Sequence, residues 1–532
     1  MIPVAFYSTA YNSNRGYLER QSGKLSNSRV LHIERLPLPS DSRSRPHLVI
    51  GTTNAKLSTT RYTSPCTLPA KKATMATQTT SAKTPLSLRR VLTTWWPLAA
   101  SWLLMGVELP ALSAVVARLA DPEINLAAYG GVVFPLALVV ESPIIMLLAA
   151  STALSRDWDS YLKLRRFMMR SGALLTVIHG LIAFTPLYYP VVEGLIGAPE
   201  AIVAPARTGL MIMIPWSWAI AYRRFNQGVL IRFGHSQAVG LGTSLRLSIN
   251  GLVLATGYLI GTIPGIIVAT SAVASGVVGE AAYAGLRVRP VLRDELRTAS
   301  PVAPRLTFQE FIAFYVPLAM TSLLFLLSQP IGSAALSRMP EALESLAVWP
   351  VISGFLFLFR SLGVAFNEVV IALLDEPQSA PALRRFTTLL ALVQTILLAL
   401  MAATPLSTLW FGSVSALSPN LTALARTGLW IALPIPALNL LQSWYQGTIV
   451  HSRHTRGITE AVVVYLLTSG SVLWVGVIWG QIAGLYVGLG AFAVSMLTQT
   501  AWLWWRSRPA MRAVQARDMV GSSPQPINSP AR

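Results

Sequence analysis

From residue 91 onward, long apolar runs alternate with short polar stretches. Twelve runs reach the roughly 20 residues that a helix needs to cross a bilayer. They cover about 93–118, 126–153, 167–187, 206–226, 238–260, 263–286, 308–337, 344–373, 387–406, 425–446, 457–479 and 482–505. The runs are continuously apolar, whereas a membrane β-barrel strand alternates between faces. The pattern predicts an all-α polytopic membrane protein. Its expected organisation is an N-terminal extension (1–90), a six-helix bundle (91–286), a linker (287–306), a second six-helix bundle (307–507) and a tail (508–532) expected to be disordered.

Composition agrees. Of 532 residues, 53% are hydrophobic and 12% charged, about half the roughly 25% usual for soluble domains. The single cysteine, Cys66, lies in the polar extension. One cysteine excludes a disulfide framework, a cysteine zinc site and an iron–sulfur cluster. After Lys83 the only lysine is Lys163, and it is not in a GK[ST] context, so no P-loop is available for ATP hydrolysis. The spans hold no HExxH and no Asp-rich or His-rich cluster. Neither an enzyme nor a cofactor nor a metal is expected, and nothing points to nucleic acid.

Charge is unevenly spread. Residues 1–90 hold 14 Lys+Arg against 3 Asp+Glu, a net +11; residues 91–532 hold 28 against 19, a net +9. The first segment is Ser-, Thr-, Asn- and Arg-rich without apolar periodicity, the signature of disorder. Three accounts compete for it: a transit peptide, a basic arm on anionic lipid, or a start mis-assigned upstream of Met75. Loops after even-numbered runs carry Arg156, Lys163, Arg165 and Arg166, then Arg223, Arg224 and Arg232, then Arg287, Arg289, Arg293, Arg297 and Arg305. Loops after odd-numbered runs carry Asp121, Glu123, Glu193 and Glu200. The positive-inside rule then puts both termini in the cytoplasm of a cell (plasma or inner) membrane.

The chain also repeats. At an offset of 219, Leu164-Arg165-Arg166-Phe167 recurs as Leu383-Arg384-Arg385-Phe386, and Ala206-Arg207-Thr208-Gly209-Leu210 as Ala425-Arg426-Thr427-Gly428-Leu429. Gln227-Gly228 matches Gln446-Gly447, and His235 matches His454. Earlier in each half the offset is 220, since Pro97, Pro110 and Arg118 match Pro317, Pro330 and Arg338. One residue is therefore missing from the second half. Six spans per repeat keep both halves in one orientation, related by a pseudo-two-fold axis along the membrane normal, an arrangement suited to alternating access.

Two stretches carry a family resemblance. Glu108-Leu109-Pro110 leads into Leu126-Ala127-Ala128-Tyr129-Gly130, and Gln227-Gly228-Val229-Leu230-Ile231-Arg232-Phe233-Gly234-His235-Ser236 forms a turn. Together with the repeat, these resemble the multidrug/oligosaccharidyl-lipid/polysaccharide flippase superfamily, which includes the multidrug and toxic compound extrusion transporters. Arg232 stands where the extrusion turn has a small residue. Within the superfamily the spacing looks most like the progressive ankylosis protein family, which moves small organic polyanions and pyrophosphate. The resemblance covers about residues 91–507. It implies an acidic residue in helix 1 for cation coupling; Glu108 is the only acid there, in a different sequence context.

Charges at bilayer depth are costly and usually face a cavity or a partner. Candidates are Glu108, Glu141, Arg246, Glu280, Arg360 and Glu368, with His179 as a further titratable group. Arg246 and Glu280 are expected to pair structurally, with Asn250 in the same network, while Arg118, Arg338, Arg207 and Arg426 snorkel at the outer ends. Glu141 and Arg360 occupy repeat-equivalent positions, each followed by serine, and are expected to approach each other across one cavity. Glu368 extends the Arg360 face. These residues suit a monomeric secondary exporter of a small organic anion, with Arg360 as counter-charge. The alternatives are a proton- or Na⁺-coupled drug exporter, a lipid-linked sugar flippase and, outside transport, a membrane scaffold or membrane-embedded enzyme. The expected partners are a small-molecule substrate, a coupling ion and the lipid bilayer.

Overall fold

The computed structural model describes residues 86–452 and 456–522. The extension before residue 86, the Met75 start, residues 523–532 and His454 lie outside the described residues. Twelve helical rods follow in order: α1 (Leu88–Val116), α2 (Pro122–Leu154), α3 (Trp158–Phe184), α4 (Glu200–Ile212 with Ile214–Arg232), α5 (Ser236–Ile260), α6 (Gly265–Leu296), α7 (Phe308–Leu336), α8 (Ala342–Leu373), α9 (Ser379–Ala403), α10 (Pro419–Ala432 with Ile435–His451), α11 (Arg456–Trp479) and α12 (Gly484–Ser522). No strand occurs among the described residues.

Ten rods are long and apolar enough to cross a membrane, and α10 joins them as a pair bent by 41°. The α4 rod does not, although the sequence reads as twelve spans. Arg223, Arg224, Asn226 and Gln227 crowd its second piece, and Arg223 is 6% exposed, facing protein rather than loop solvent. Prolines explain the breaks, because each removes a backbone donor and clashes with the preceding turn. Pro110 sits just after the interruption of α1 at Val107. Pro215 opens the second piece of α4, and Pro434 and Pro436 mark the break in α10.

Three boundaries differ from the sequence expectation. Helix α1 starts at Leu88, where the Ser87 side chain accepts from the Arg90 amide. Helix α6 runs through Pro290 into a π-helical turn, Val291–Leu296, so half of the expected linker is helical. Helix α12 continues to Ser522, replacing the expected disordered tail over 508–522. Val514 is buried there among Leu86, Val91 and Leu374, and Arg517 donates to the Glu376 carbonyl and the Ser379 hydroxyl.

The pseudo-two-fold relation is written in reciprocal contacts. Trp95 of α1 donates to the Leu362 carbonyl of α8 (3.0 Å); its equivalent Tyr315 of α7 donates to the Pro143 carbonyl of α2. The Trp95 ring meets Phe386 at 5.5 Å, and Tyr315 meets Phe167 at 5.0 Å. Gly130 and Pro350 are themselves equivalent and touch: a Cβ on Gly130 would lie 2.5 Å from the Pro350 ring. Residues that meet their own equivalents mark the axis, which passes between α2 and α8.

The residue that the second half lacks falls within α2 of the first. The first half carries a π-helical turn at Ala128–Val133 of α2, while α8 is α-helical throughout. A π-bulge is one extra residue accommodated within an α-helix, and such bulges favour functional sites. Here it absorbs the difference between offsets 220 and 219. Downstream registers then agree: Ser142 donates to the Val139 carbonyl, as Ser361 does to Leu358.

Helices α2 and α8 pack along their first halves and separate after residue 134. At the closed end, Arg118 of α1 donates to the Ser413 and Val414 carbonyls of the second half (2.6 and 2.9 Å). Arg338 of α7 donates to the Gly194, Leu195 and Ile196 carbonyls of the first half (3.0, 3.0 and 2.7 Å). Those carbonyls end the π-helical turns Pro190–Ile196 and Leu409–Val414, where the helix dipole favours a cation. These two arginines are latches between the halves rather than snorkelling ends. Arg207, by contrast, donates to the Ala183 and Phe184 carbonyls and so caps α3 of its own half.

Candidate functional site

A buried charge network occupies the first half. At the interruption of α1, Glu108 accepts from Arg246 of α5 (2.9 Å) and from the Asn250 amide one turn further on (2.5 Å). Arg246 also lies 3.5 Å from the Glu280 carboxylate on α6, an ion contact. Glu280, 1% exposed, is closed in by Arg223 of α4 and by the Gln227 amide at 2.9 Å. Asn250 fits because residue 276 of α6 is glycine: any Cβ there would overlap the Asn250 side chain. The π-bulge brings buried Tyr129 within electrostatic reach of Glu108 and Arg246.

Two carboxylates and two guanidiniums make the network neutral. Each carboxylate has two or more donors, which buried charges require. Arg246, Glu280 and Asn250 thus stand in one network, with Glu108 drawn in from α1.

The second half holds the same positions without charge. Arg223 and Glu280 correspond to Gln442 and Gln499, where the Gln442 amide donates to the Gln499 carbonyl at 3.1 Å. Arg246 corresponds to Tyr465 and Glu108 to Ser328. One half therefore carries a charged version, and the other a neutral version, of the same interhelical link.

Glu141 and Arg360 do not meet in this conformation. Glu141 is buried, lies within electrostatic reach of Arg223 and Arg224 of its own half, and keeps an unpartnered Oε2. Arg360 stacks on Phe492 of α12 at 5.0 Å, near Tyr465 of α11. Helix geometry supplies the reason. Pro350 faces the axis, and Arg360 follows ten residues later, about 80° around the helix at 100° per residue. The π-bulge gives Glu141 the same turn relative to Gly130. Each residue thus points into its own half, and symmetry repeats the orientation instead of pairing the charges.

Arg360 has no carboxylate partner among the described residues, and its Nε is buried without a hydrogen bond. Arg223 and Arg246, by contrast, both have carboxylates. Glu368 lies against the Trp102 side chain of α1. His179 sits between α3 and α4 with Nδ1 2.8 Å from the Ser217 hydroxyl, apart from both sites. No group of metal-ligating side chains occurs among the described residues.

Sequence reasoning missed Arg223, Gln227, Gln442 and Gln499. Arg223 reads as a loop arginine because its neighbours are polar. The offset of 219 applied to Glu280 lands on Gln499, which was the available signal.

No protein-family model matches this sequence, and no curated protein matches it. Solved structures match its fold. An inward-facing multidrug resistance MATE family transporter of the MOP superfamily superposes with a TM-score of 0.61 at 12% identity, over 76% of this chain and 96% of that one. The lipid II flippase MurJ in an inward closed conformation gives 0.57 at 13% identity, over 80% and 91%. An outward-facing MATE family transporter gives 0.52 at 13% identity, over 80% and 97%. The chain has the twelve-helix, two-bundle membrane fold of these MATE family transporters.

Proposed function

From this transporter fold, we propose that the chain is a secondary exporter of small organic anions that works by alternating access, with Arg360 as the counter-charge for the cargo. One observation carries the reading. Arg360 is a mid-span guanidinium on the segment of α8 that has separated from α2, with an aromatic face beside it and no carboxylate partner among the described residues. An unpaired guanidinium at that depth is costly, and an anion that binds it removes the cost. Arginine also suits the cargo, since its planar fork grips a carboxylate or phosphate with two parallel bonds. The basic end, where α2 and α8 diverge, is taken to face the cytoplasm. The higher TM-score with the inward-facing neighbour, 0.61 against 0.52, accords with that reading.

Binding tests it directly. The full chain in detergent should melt at higher temperature in citrate than in chloride of equal ionic strength. Arg360→Ala should lose that stabilisation, and Arg360→Lys should keep part of it. Citrate stabilisation that is unchanged in Arg360→Ala refutes the assignment.

A second reading is proton-coupled extrusion of cationic drugs. It is favoured by one observation, the buried Glu141 with its unpartnered Oε2, which is open to a proton or a cation. Under that reading ethidium, rather than citrate, stabilises the chain, and Glu141→Gln abolishes the effect.

A further inference from the structure

A cavity lies away from Arg360, at the basic end of the first half. It has a volume of about 520 Å³ and sits between the start of α3, the end of α4 and the end of α6. Four arginines line it: Arg165 of α3, Arg289 and Arg293 in the last turns of α6, and Arg297 just beyond. Arg293 is engaged by Asp294 through two contacts of 2.6 and 3.0 Å. Arg165, Arg289 and Arg297 have no carboxylate partner among the described residues.

Basic residues at this end are a general feature of membrane proteins, and three of these positions recur in the second half as Arg384, Arg508 and Arg512. Of the aromatic walls only Phe225 recurs, as Trp444. Trp158, Tyr161 and Tyr222 line the cavity, and their equivalents are Pro377, Ala380 and Leu441. The Arg297 guanidinium already stacks over Trp158, 4.7 Å from its ring centroid. Three like charges converging on one aromatic-walled space repel each other until an anion enters. The volume exceeds that of a bare phosphate and falls in the range of small-molecule sites.

We propose that this cavity binds a phosphate monoester with an organic body, its phosphate held by Arg165, Arg289 and Arg297 and its body covered by the aromatic wall. The inference is independent of the Arg360 reading. Two sources share this chemistry: the phosphatidic acid headgroup and a soluble phosphorylated metabolite. Basic pockets between membrane helices are known to take phospholipid headgroups.

The test uses the full chain, delipidated in detergent, with thermal unfolding as readout. Phosphatidic acid in mixed micelles is one probe and glucose 6-phosphate the other, each against chloride at matched ionic strength. Saturable stabilisation by either supports the site. Phosphatidic acid alone identifies a membrane source, glucose 6-phosphate alone a soluble one, and both together a site that reads only the phosphate. The triple variant Arg165→Gln/Arg289→Gln/Arg297→Gln should bind at least tenfold more weakly. The control triple Arg384→Gln/Arg508→Gln/Arg512→Gln, which removes as many charges from the same end of the second half, should bind as the parent does. If the first triple fails to fold, Arg289→Glu at an exposed position must itself weaken binding tenfold. Stabilisation no greater than in chloride overturns the proposal. Equal loss in both triples also overturns it, because the effect then belongs to a diffuse basic surface.

Discussion

Removing the two latch arginines should open the end of the molecule that they close. Arg118 makes two hydrogen bonds across the halves and Arg338 makes three. A net protein hydrogen bond is worth about 1 kcal/mol. Both side chains are exposed, and exposure with salt screening roughly halves that figure. The five bonds then favour the closed end by about 2.5 kcal/mol. At tenfold per 1.4 kcal/mol, Arg118→Ala/Arg338→Ala should shift the closed-to-open ratio roughly 60-fold. The singles should shift it roughly 5-fold and roughly 12-fold, adding in free energy because the latches are separate. Spin labels at Leu187 and Leu406, equivalent and exposed positions at this end, report the distance between the halves in a Cys66→Ser background. Pulsed dipolar measurements in proteoliposomes should show the short-distance population giving way to a longer one, in the order Arg118→Ala, Arg338→Ala, double. A double variant with the parent's distance distribution refutes the latch. So would opening at the other end, read from labels near Arg165 and Arg384.

Three further outcomes are expected. Glu280→Gln strands Arg223 and weakens the hold on Arg246, so it should cost about 3–5 kcal/mol of stability; Arg223→Gln/Glu280→Gln recreates the Gln442–Gln499 link and should recover at least half of the loss in thermal unfolding, while no recovery contradicts the repeat argument. At Asp157, burial raises the carboxyl pKa, but hydrogen bonds from the Ser160 side chain and from the Val302 and Ser160 amides outweigh it and hold the group below the usual carboxylate range. Its contribution to docking the 299–306 segment is therefore present above pH ~4 and lost as the pH falls through the depressed value; Asp157→Ala should cost about 1–2 kcal/mol and speed tryptic cleavage at Arg305 at pH 7.5, and an unchanged rate counts against it. For topology, Leu409→Cys in a Cys66→Ser background should react with an impermeant thiol reagent from outside, and labelling only after permeabilisation reverses the orientation. Leu409 is preferable to the neighbouring Ser407, which is buried and accepts from Arg426.

Helix count and the two-fold relation were legible because hydropathy and internal repetition are properties of the chain itself. The repeat even exposed the missing residue, but not its place. A π-bulge has no sequence signature, and only the backbone shows that Ala128–Val133 absorbs it. The same bulge decides which way Glu141 points, so the expected meeting with Arg360 was not decidable from offsets alone. Arg118 and Arg338 read as snorkelling ends because carbonyl acceptors carry no sequence signal: the latch partners are backbone groups of the opposite half. Arg223 was hidden in the opposite way, since polar neighbours made a buried face look like a loop. Glu108, Arg246, Asn250 and Glu280 were visible as costly mid-span polar groups, and their convergence required the α1 interruption and the gap left by Gly276.

The central claim is that Arg360 carries an anionic cargo, and transport itself tests it most directly. Proteoliposomes holding the full chain and loaded with radiolabelled citrate are followed for exchange, beside vesicles loaded with ethidium, each with and without a proton gradient. Protein-dependent citrate movement that is lost in Arg360→Ala and partly kept in Arg360→Lys is the predicted result, with ethidium unmoved. Ethidium movement without citrate movement, or citrate movement at the parent's rate in Arg360→Ala, contradicts it.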